Sequence, residues 1–549
     1  MTTTQAPPRR SAATERNSFA STLRAEWTKF RTVRGWVIGM IVAAILTVLV
    51  GLFAAGGVNI GCASPGAPAK SGKACLPYIP HGPGGEVVTD SFNFAHQPLT
   101  GNGSITVRVT SFRGEHANVN GHPAQAGNGP NMAPGLMPWS KAGIIIKQNL
   151  HQGSAYAAIM VTGRNGVRMQ YNYTGDTAGL PGGVSAASPR WLRLTRSGDT
   201  ITGYDSADGT HWAKVGAVRL GGLPATVPAG MFATSPNYFV TATSFGGASS
   251  QGGPSQATGV FDHVTVSGNP AGSTWSDTPV GGGGPLGQTG PAGPAGLRGA
   301  SGPVGFTHAD GTYTLTGSGD IAPEVPGPGS SLPTATIEQS LAGTFIGLIA
   351  IVVVAAMFVT AEYRRGLIRT TLAATPRRGQ LLAAKALVAG GAAFVTGLVA
   401  ATVAVGVGVP LETSKGQVVL PVPALTEIRV VVGTAALLAV AAVFAVALGA
   451  VLRRSAAAIT LAVVTVVLPF LLTALNVFPP GVGAWLLRLT PAAGLAIEQS
   501  IPNYPQVTNV IEPARGAYPL PPFAGFAVLC AWAAAALALA FILLRRRDA

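Results

Sequence analysis

Chemistry in this chain has to come from few side chains. Only 10% of its 549 residues are charged, with 36 Lys and Arg against 21 Asp and Glu. The densest group is residues 362–385, EYRRGLIRTTLAATPRRGQLLAAK, which sets Arg364, Arg365, Arg369, Arg377, Arg378 and Lys385 against one acid, Glu362. Guanidinium forks of this kind grip phosphate or carboxylate. No G-x-x-x-x-G-K-[ST] occurs anywhere, so the chain has no P-loop to cradle ATP. Asp205 and Asp208, beside Gly209, read as turn residues rather than an acid/base pair. Cys62 and Cys75 are a candidate disulfide, free thiols being the alternative, and too few ligands lie near them for a metal site. Trp139, Tyr171, Tyr173, Trp191 and Trp212 offer faces for stacking on sugar rings, though filling of the core and edges of a β-sandwich is the favoured reading. A lone Asp262 is a weak basis for calcium. No catalytic or metal-binding set emerges.

Six apolar runs position the basic groups: residues 36–55, 342–361, 386–409, 430–452, 456–477 and 523–544. Each has about 20 residues or more, enough to cross a hydrocarbon layer of ~30 Å at 1.5 Å per residue. Segments 1–34, 362–385, 453–454 and 545–549 lie on alternate sides of these runs. They hold 18 of the 36 basic residues and 4 of the 21 acids, which leaves the rest of the chain nearly neutral. Positive-inside bias therefore accounts for the net charge of +15 without nucleic acid, places both termini in the cytoplasm and puts residues 57–340 outside. A cleavable signal peptide is disfavoured by the full spanning length of the first run and by the later runs. No Lys, Arg, Asp or Glu occurs inside the runs, which argues against a proton or ion relay. Pro469 is expected to kink the fifth span.

Residues 1–16 read as a polar tail. In 17–34, Phe19, Leu23, Trp27, Phe30 and Val33 recur at helical spacing among Arg24, Lys29, Arg31 and Arg34, the pattern of an interfacial helix or of an extension of the first span. A Gly/Pro loop fills 57–85. From 86 to 268 the texture is short alternating strands between turns such as Gly163-Arg164-Asn165-Gly166 and Ser197-Gly198-Asp199, which predicts an antiparallel sandwich. Residues 269–340 read as a linker. Its glycines from Gly284 to Gly305 keep a three-residue period like collagen, read as an extended spacer rather than a trimerising helix, and 306–317 add a small hairpin.

Two resemblances follow. WSKAGIIIKQ (139–148), GSAYAAIMVTGRNGVRMQY (153–171), WLRLTRSGDTITGYDSADGTHWAKVG (191–216) and FDHVTV (261–266) resemble concanavalin A-like sandwiches of the DUF1349 and laminin-G-like branch. That resemblance implies a jelly-roll, and no E-x-D-x-x-E carboxylate set is present for glycoside hydrolysis. Glu362, Tyr363, Arg364, Gly366, Ile368, Arg369, Thr371, Leu372, Pro376, Arg378, Ala384 and Lys385 resemble the motif after the second span of ABC-2 type permeases. LRAEWTKFRTVRGW (23–36) resembles that family's elbow helix, and WLLRLTPAAGLAIEQSI (485–501), within the outer loop 478–522, its short re-entrant helices. The fold class is thus multi-domain: a six-helix transmembrane domain with an all-β, lectin-like domain inserted between the first two spans.

The second resemblance implies that 362–385 is a coupling hairpin, docking on a separate ABC ATP-binding subunit through Glu362, Tyr363, Arg364, Gly366, Arg369, Pro376, Arg378 and Lys385, with ATP and magnesium on that partner and no cofactor here. A second permease copy, identical or related, would complete a pore. The expected function is a permease of an ABC-2 exporter in a bacterial plasma membrane; the alternative is a surface glycan-binding protein on a permease-derived anchor. With hairpin and insertion on opposite faces, communication between them is expected to run through spans one and two.

Overall fold

The structure is a computed structural model and describes residues 19–57, 61–62, 70–71, 78–118, 132–244, 247–281, 305–327, 332, 334–364, 366 and 377–546. Arg369, Pro376, Cys75 and the collagen-like run up to residue 304 lie outside the described residues, and of Cys62 only the backbone is described, so the disulfide stays an expectation.

Ten helices are described: α1 (Phe19–Thr32), α2 (Arg34–Gly56), α3 (Ile337–Ser340), α4 (Thr344–Arg364), α5 (Arg378–Ser414), α6 (Ala424–Leu452), α7 (Ser455–Val466), α8 (Leu468–Ala474), α9 (Pro480–Leu489) and α10 (Pro522–Arg546). Six helical segments are long and apolar enough to cross a membrane: α2, α4, α5, α6, α7 with α8, and α10. Small side chains let these helices approach closely, so their shared core is rich in Ala and Val, including Ala355, Ala389, Ala441 and Ala445. The break between α7 and α8 comes just before Pro469, whose missing N–H cannot continue the ladder. The helices outrun the apolar runs at their ends. At 37 residues α5 is the longest, and it carries Lys385 near its start and Glu412 near its end.

Between α2 and α3 lies a β region of two antiparallel sheets. One runs β7 (Gly175–Ala178), β6 (Val167–Tyr171), β5 (Tyr156–Thr162), β4 (Lys141–Lys147), β11 (Thr226–Thr234), β2 (Asn93–Thr100), β13 (Ser276–Asp277). The other runs β10 (Ala213–Arg219), β9 (Thr200–Ser206), β8 (Arg190–Ser197), β3 (Gly103–Ala117), β12 (Ser255–Ser267), β15 (Thr312–Gly317), β14 (Phe306–Ala309). The two sheets enclose one core, fed by alternation on each strand: Ile105, Val107 and Val109 face Ile144, Ile146, Ile159 and Met169. Gly198, with φ +60, supplies the turn between β8 and β9.

The boundary at 268 needs correction. The hairpin β14–β15 continues the second sheet through β12, and β16 (Ile321–Pro323) pairs with β1 (Val88–Asp90). The hairpin itself is expected from the sequence at 306–317; what Gly and Pro density hides is that it and β16 belong to the sandwich, whose cores hold Leu315 and Ile321. The region is then tied to the helices. Strand β17 (Thr334–Ala335) pairs in parallel with β18 (Val418–Val419), from the loop between α5 and α6. Val87, Val418 and Leu420 form a small core with Ile79, Leu332 and Ile501. Gln506 Nε2 donates to the Tyr173 carbonyl at 2.8 Å. The expected route through spans one and two alone is therefore too narrow: the β region also touches the loops after α5 and α9.

Candidate functional site

The described ends of this stretch, residues 362–364 and 377–385, meet at one end of the bundle, where three helices surround a buried ion cluster. Helix α1 turns Thr22, Glu26 and Phe30 inward, four residues apart, while Trp27 stays 46% exposed. Helix α4 contributes Phe358 and Glu362, one turn apart, and α5 contributes Lys385. The Lys385 Nζ donates to Glu26 Oε2 and to Glu362 Oε1, both at 2.7 Å, and lies 4.7 Å from the Phe358 ring centre. Lys29 Nζ closes the ring with contacts of 2.7 Å to Glu26 and 3.3 Å to Glu362. Partial burial works against the Lys29 charge, but the two carboxylates outweigh it and its pKa lies above the usual value. Above the ions Phe30 and Trp36 each meet Phe358 edge to face, at 5.4 and 5.0 Å, and stack on each other at 6.0 Å, which excludes water from one side.

The cluster is charge-balanced, with two carboxylates and two ammonium groups. Breaking a buried pair costs far more than an exposed pair contributes, so α1, α4 and α5 are held in one arrangement at this point. It acts as a joint and offers no catalytic groups; among the described residues no set of three or more His, Cys, Asp and Glu is placed to hold a metal.

Six of the eight predicted coupling residues can be placed; Arg369 and Pro376 lie outside the described residues. Glu362 and Lys385 are 8% and 3% exposed and bind each other, so they are not direct contacts for a partner; their charge is spent inside the bundle. Tyr363 lies under the Arg453 guanidinium, 5.3 Å from its ring. Arg378 Nη1 donates to the Leu544 carbonyl at 2.6 Å, satisfying the last turn of α10. Gly366, at φ +70, makes the turn after α4, and Arg364 is exposed beside it. Sequence reasoning missed Glu26. Its signal was a lone acid among basic residues, spaced four from both Thr22 and Phe30.

A second buried polar group sits at the opposite end of the bundle, under the β region. Glu338 of α3 accepts from the backbone N–H and the hydroxyl of Ser500. Glu412 of α5 accepts from Ser340 at 3.0 Å, and Glu498, in the 3-10 segment Pro491–Glu498, accepts from Thr434 at 3.2 Å. Arg429 turns to the carbonyls of Ile497 and Gln499 rather than to a carboxylate. Burial pushes Glu338 upward and Glu498 up to about 8, both lying outside the six spans. Glu338 and Glu412 stand just beyond the ends of apolar runs and Glu498 lies in the loop 478–522, where a scan for charge inside the runs could not find them.

In the β region the five aromatic residues do not form one platform. Tyr173 is 1% exposed, and its hydroxyl donates to Asp90, which also pairs with the fully buried Lys147 at 2.7 Å. Burial pulls the Lys147 pKa down against the opposing pull of Asp90. Trp139 is 7% exposed under Arg168, and Tyr171 packs at the edge of the core. Only Trp191 and Trp212 stand half-buried on the outer face of the second sheet, Trp191 between Arg108 and His263, and Trp212 stacked 3.9 Å from Arg193. Asp262 forms a two-pronged pair with Arg108 at 2.6 and 2.7 Å, which occupies the oxygens a calcium ion would need. Asp208 caps the turn by accepting from the N–H groups of Thr210 and His211, and Asp205 accepts from the Leu180 N–H.

Comparison with known proteins bears on the helical part. Among solved structures the chain is similar to a functionally unknown protein from Saccharomyces cerevisiae (16% identity, 39% of this chain, 93% of that chain, TM-score 0.21). It is also similar to scytalido-glutamic peptidase with a transition state analog inhibitor (9% identity, 43% of this chain, 100% of that chain, TM-score 0.24). A GH43 protein, BlXynB from Bacillus licheniformis, follows at 14% identity, 24% of each chain and TM-score 0.16. Likenesses this low carry no argument about fold or function. No curated protein matches. The model of the ABC-2 family transporter proteins, however, matches residues 224–549, more than half of the chain. The chain belongs to the ABC-2 family of transporter proteins.

Proposed function

We propose that this chain is the permease subunit of an ABC-2 exporter, driven by a separate ATPase that carries ATP and magnesium and completed by a second permease copy. The observation that carries the reading is the buried cluster of Glu26, Glu362 and Lys385. It ties the helices on both sides of residues 362–385 to α1, so a push on that hairpin moves three helices together. Family membership and the absence of a P-loop point to an external ATPase. The charge distribution supports a topology with both termini in the cytoplasm, residues 57–340 outside and the protein in a bacterial plasma membrane. Arg364, Gly366, Arg369 and Pro376 remain for contact with the partner, while Glu362, Tyr363, Arg378 and Lys385 set its position.

The β region is read as an accessory domain of concanavalin A-like, jelly-roll type on the exit side. The two-sheet core supports this, and Trp191 and Trp212 are what remain of its glycan-binding surface. A glycan array with the full chain tests that part. The main test is co-purification with an ATPase of the ABC type and stimulation of its hydrolysis. Replacing Arg364 and Arg369 by Glu should abolish stimulation without loss of membrane insertion. Isolation of the chain alone, with ATPase activity indifferent to those changes, overturns the transporter reading in favour of a membrane-anchored glycan binder.

A further inference from the structure

The end of the bundle that carries the ion cluster also holds a cleft of about 490 Å³ between α4 and the turn from α6 to α7. That volume lies in the range of small-ligand sites, about 300–1,000 Å³. Arg364, Arg453 and Arg454 line it with Tyr363 and Ser455, and Met357 forms the wall toward the membrane layer. Among the described residues no carboxylate pairs with any of the three arginines. Arginines that only fix topology can splay into water, whereas converging on one cleft brings three like charges together without a counter-charge. An anion with several acceptor oxygens relieves that repulsion, and a phosphate suits guanidinium forks.

The rest of the lining says what is attached to the anion. Met357 is 39% exposed beside the arginines, and farther along the bundle α7 and α8 expose Leu461, Val464 and Leu468 at helical spacing. A polar head and an apolar tail are thus accommodated side by side. We infer that this cleft binds an anionic phospholipid, with its phosphate on Arg364, Arg453 and Arg454 and its acyl chain along Met357 and α7. The inference takes only the leaflet, the cytoplasmic one, from the proposed topology.

The test uses the purified full chain in detergent, without any ATPase, and reads binding of phosphatidylglycerol, phosphatidylcholine and inorganic phosphate by native mass spectrometry. Phosphatidylglycerol is expected to bind at least tenfold tighter than phosphatidylcholine. R453Q/R454Q should weaken it about thirtyfold, at the strength typical of two cations near a lipid surface. M357W, which fills the cleft and keeps every charge, should weaken it as well. R454Q alone changes one exposed side chain, so an unchanged thermal unfolding midpoint with weaker binding separates the site from misfolding. Equal binding of the two lipids, unaltered binding by R453Q/R454Q or M357W, or full displacement by millimolar inorganic phosphate overturns the inference. So does cross-linking of S455C between two copies without lipid. Arg364 also stands among the proposed ATPase contacts, so these variants leave it in place; R453Q/R454Q and M357W read lipid binding with no ATPase present, and failure of either result leaves the other standing.

Discussion

Replacing Lys385 by Met removes the buried one of the two ammonium groups that face both carboxylates of the ion cluster. At 2.7 Å and an effective dielectric constant of about 20, each contact is worth about 6 kcal/mol before desolvation. Desolvation of the ions, several kcal/mol each, offsets most of this. The loss that remains is governed by what is left behind: Glu26 at 1% and Glu362 at 8% exposure, with Lys29, itself half in water, as sole counter-charge. Orphaning buried charge in this way costs about 3–5 kcal/mol. Thermal unfolding in detergent, followed by tryptophan fluorescence, reads it directly, because Trp27 and Trp36 both stack on Phe30 beside the cluster. The triple variant E26Q/E362Q/K385M removes all three charges and is expected to recover most of the loss, since neutral replacement of a buried ionic group is often nearly free. A cost below about 1 kcal/mol for K385M, or a triple variant no better than the single one, refutes the view that this cluster holds the helices together.

Three further outcomes are expected. D90A strips Lys147 of its carboxylate in a fully buried setting and should destabilise the β region by about 3–5 kcal/mol, read as faster proteolysis within 88–323 while the helices persist. Q506A combined with V418D should release the β region from the helices, seen as faster amide exchange at Thr334–Ala335 and Val418–Val419. For Glu498 the folded pKa, about 8, lies above the ordinary 4.5. Between these values the folded chain keeps a proton that the unfolded chain has released. Its contribution is therefore full at about pH 4.5, is lost as pH rises to about 8 and is flat beyond. E498Q should flatten that part of a melting profile measured from pH 5 to 9, and an unchanged slope counts against it.

The helical half was legible because long charge-free runs have few other uses, and the family match, residues 224–549, takes in every helix after the first two. Ile105, Val107 and Val109 likewise announced a strand with one buried face. What stayed hidden was pairing at a distance. Lys141 and Lys147 bracket an apolar run and look like its solvated ends, yet both are fully buried because Asp320 and Asp90 come to them from remote strands. Glu26 and Lys385 lie 359 positions apart, so their partnership has no local trace. The aromatic residues failed for a related reason: Tyr173 and Trp191 look alike along the chain, and only the sheet decides which of them meets water.

Helix α5 has a mechanical consequence. Lys385 and Glu412 are 27 positions apart on one continuous helix, about 40 Å at 1.5 Å per residue, with Pro410 interrupting its hydrogen-bond ladder only in the last turns. That helix is a stiff shaft with its lower bearing in one ionic joint and its upper end hydrogen-bonded to Ser340, just below the strand pair that seats the β region. A tilt of about 5° at the lower joint swings the upper end sideways by about 3.5 Å, more than the separation of a hydrogen-bonded pair. Small rotations at one end of the helix thus become bond-breaking displacements at the other, by leverage alone.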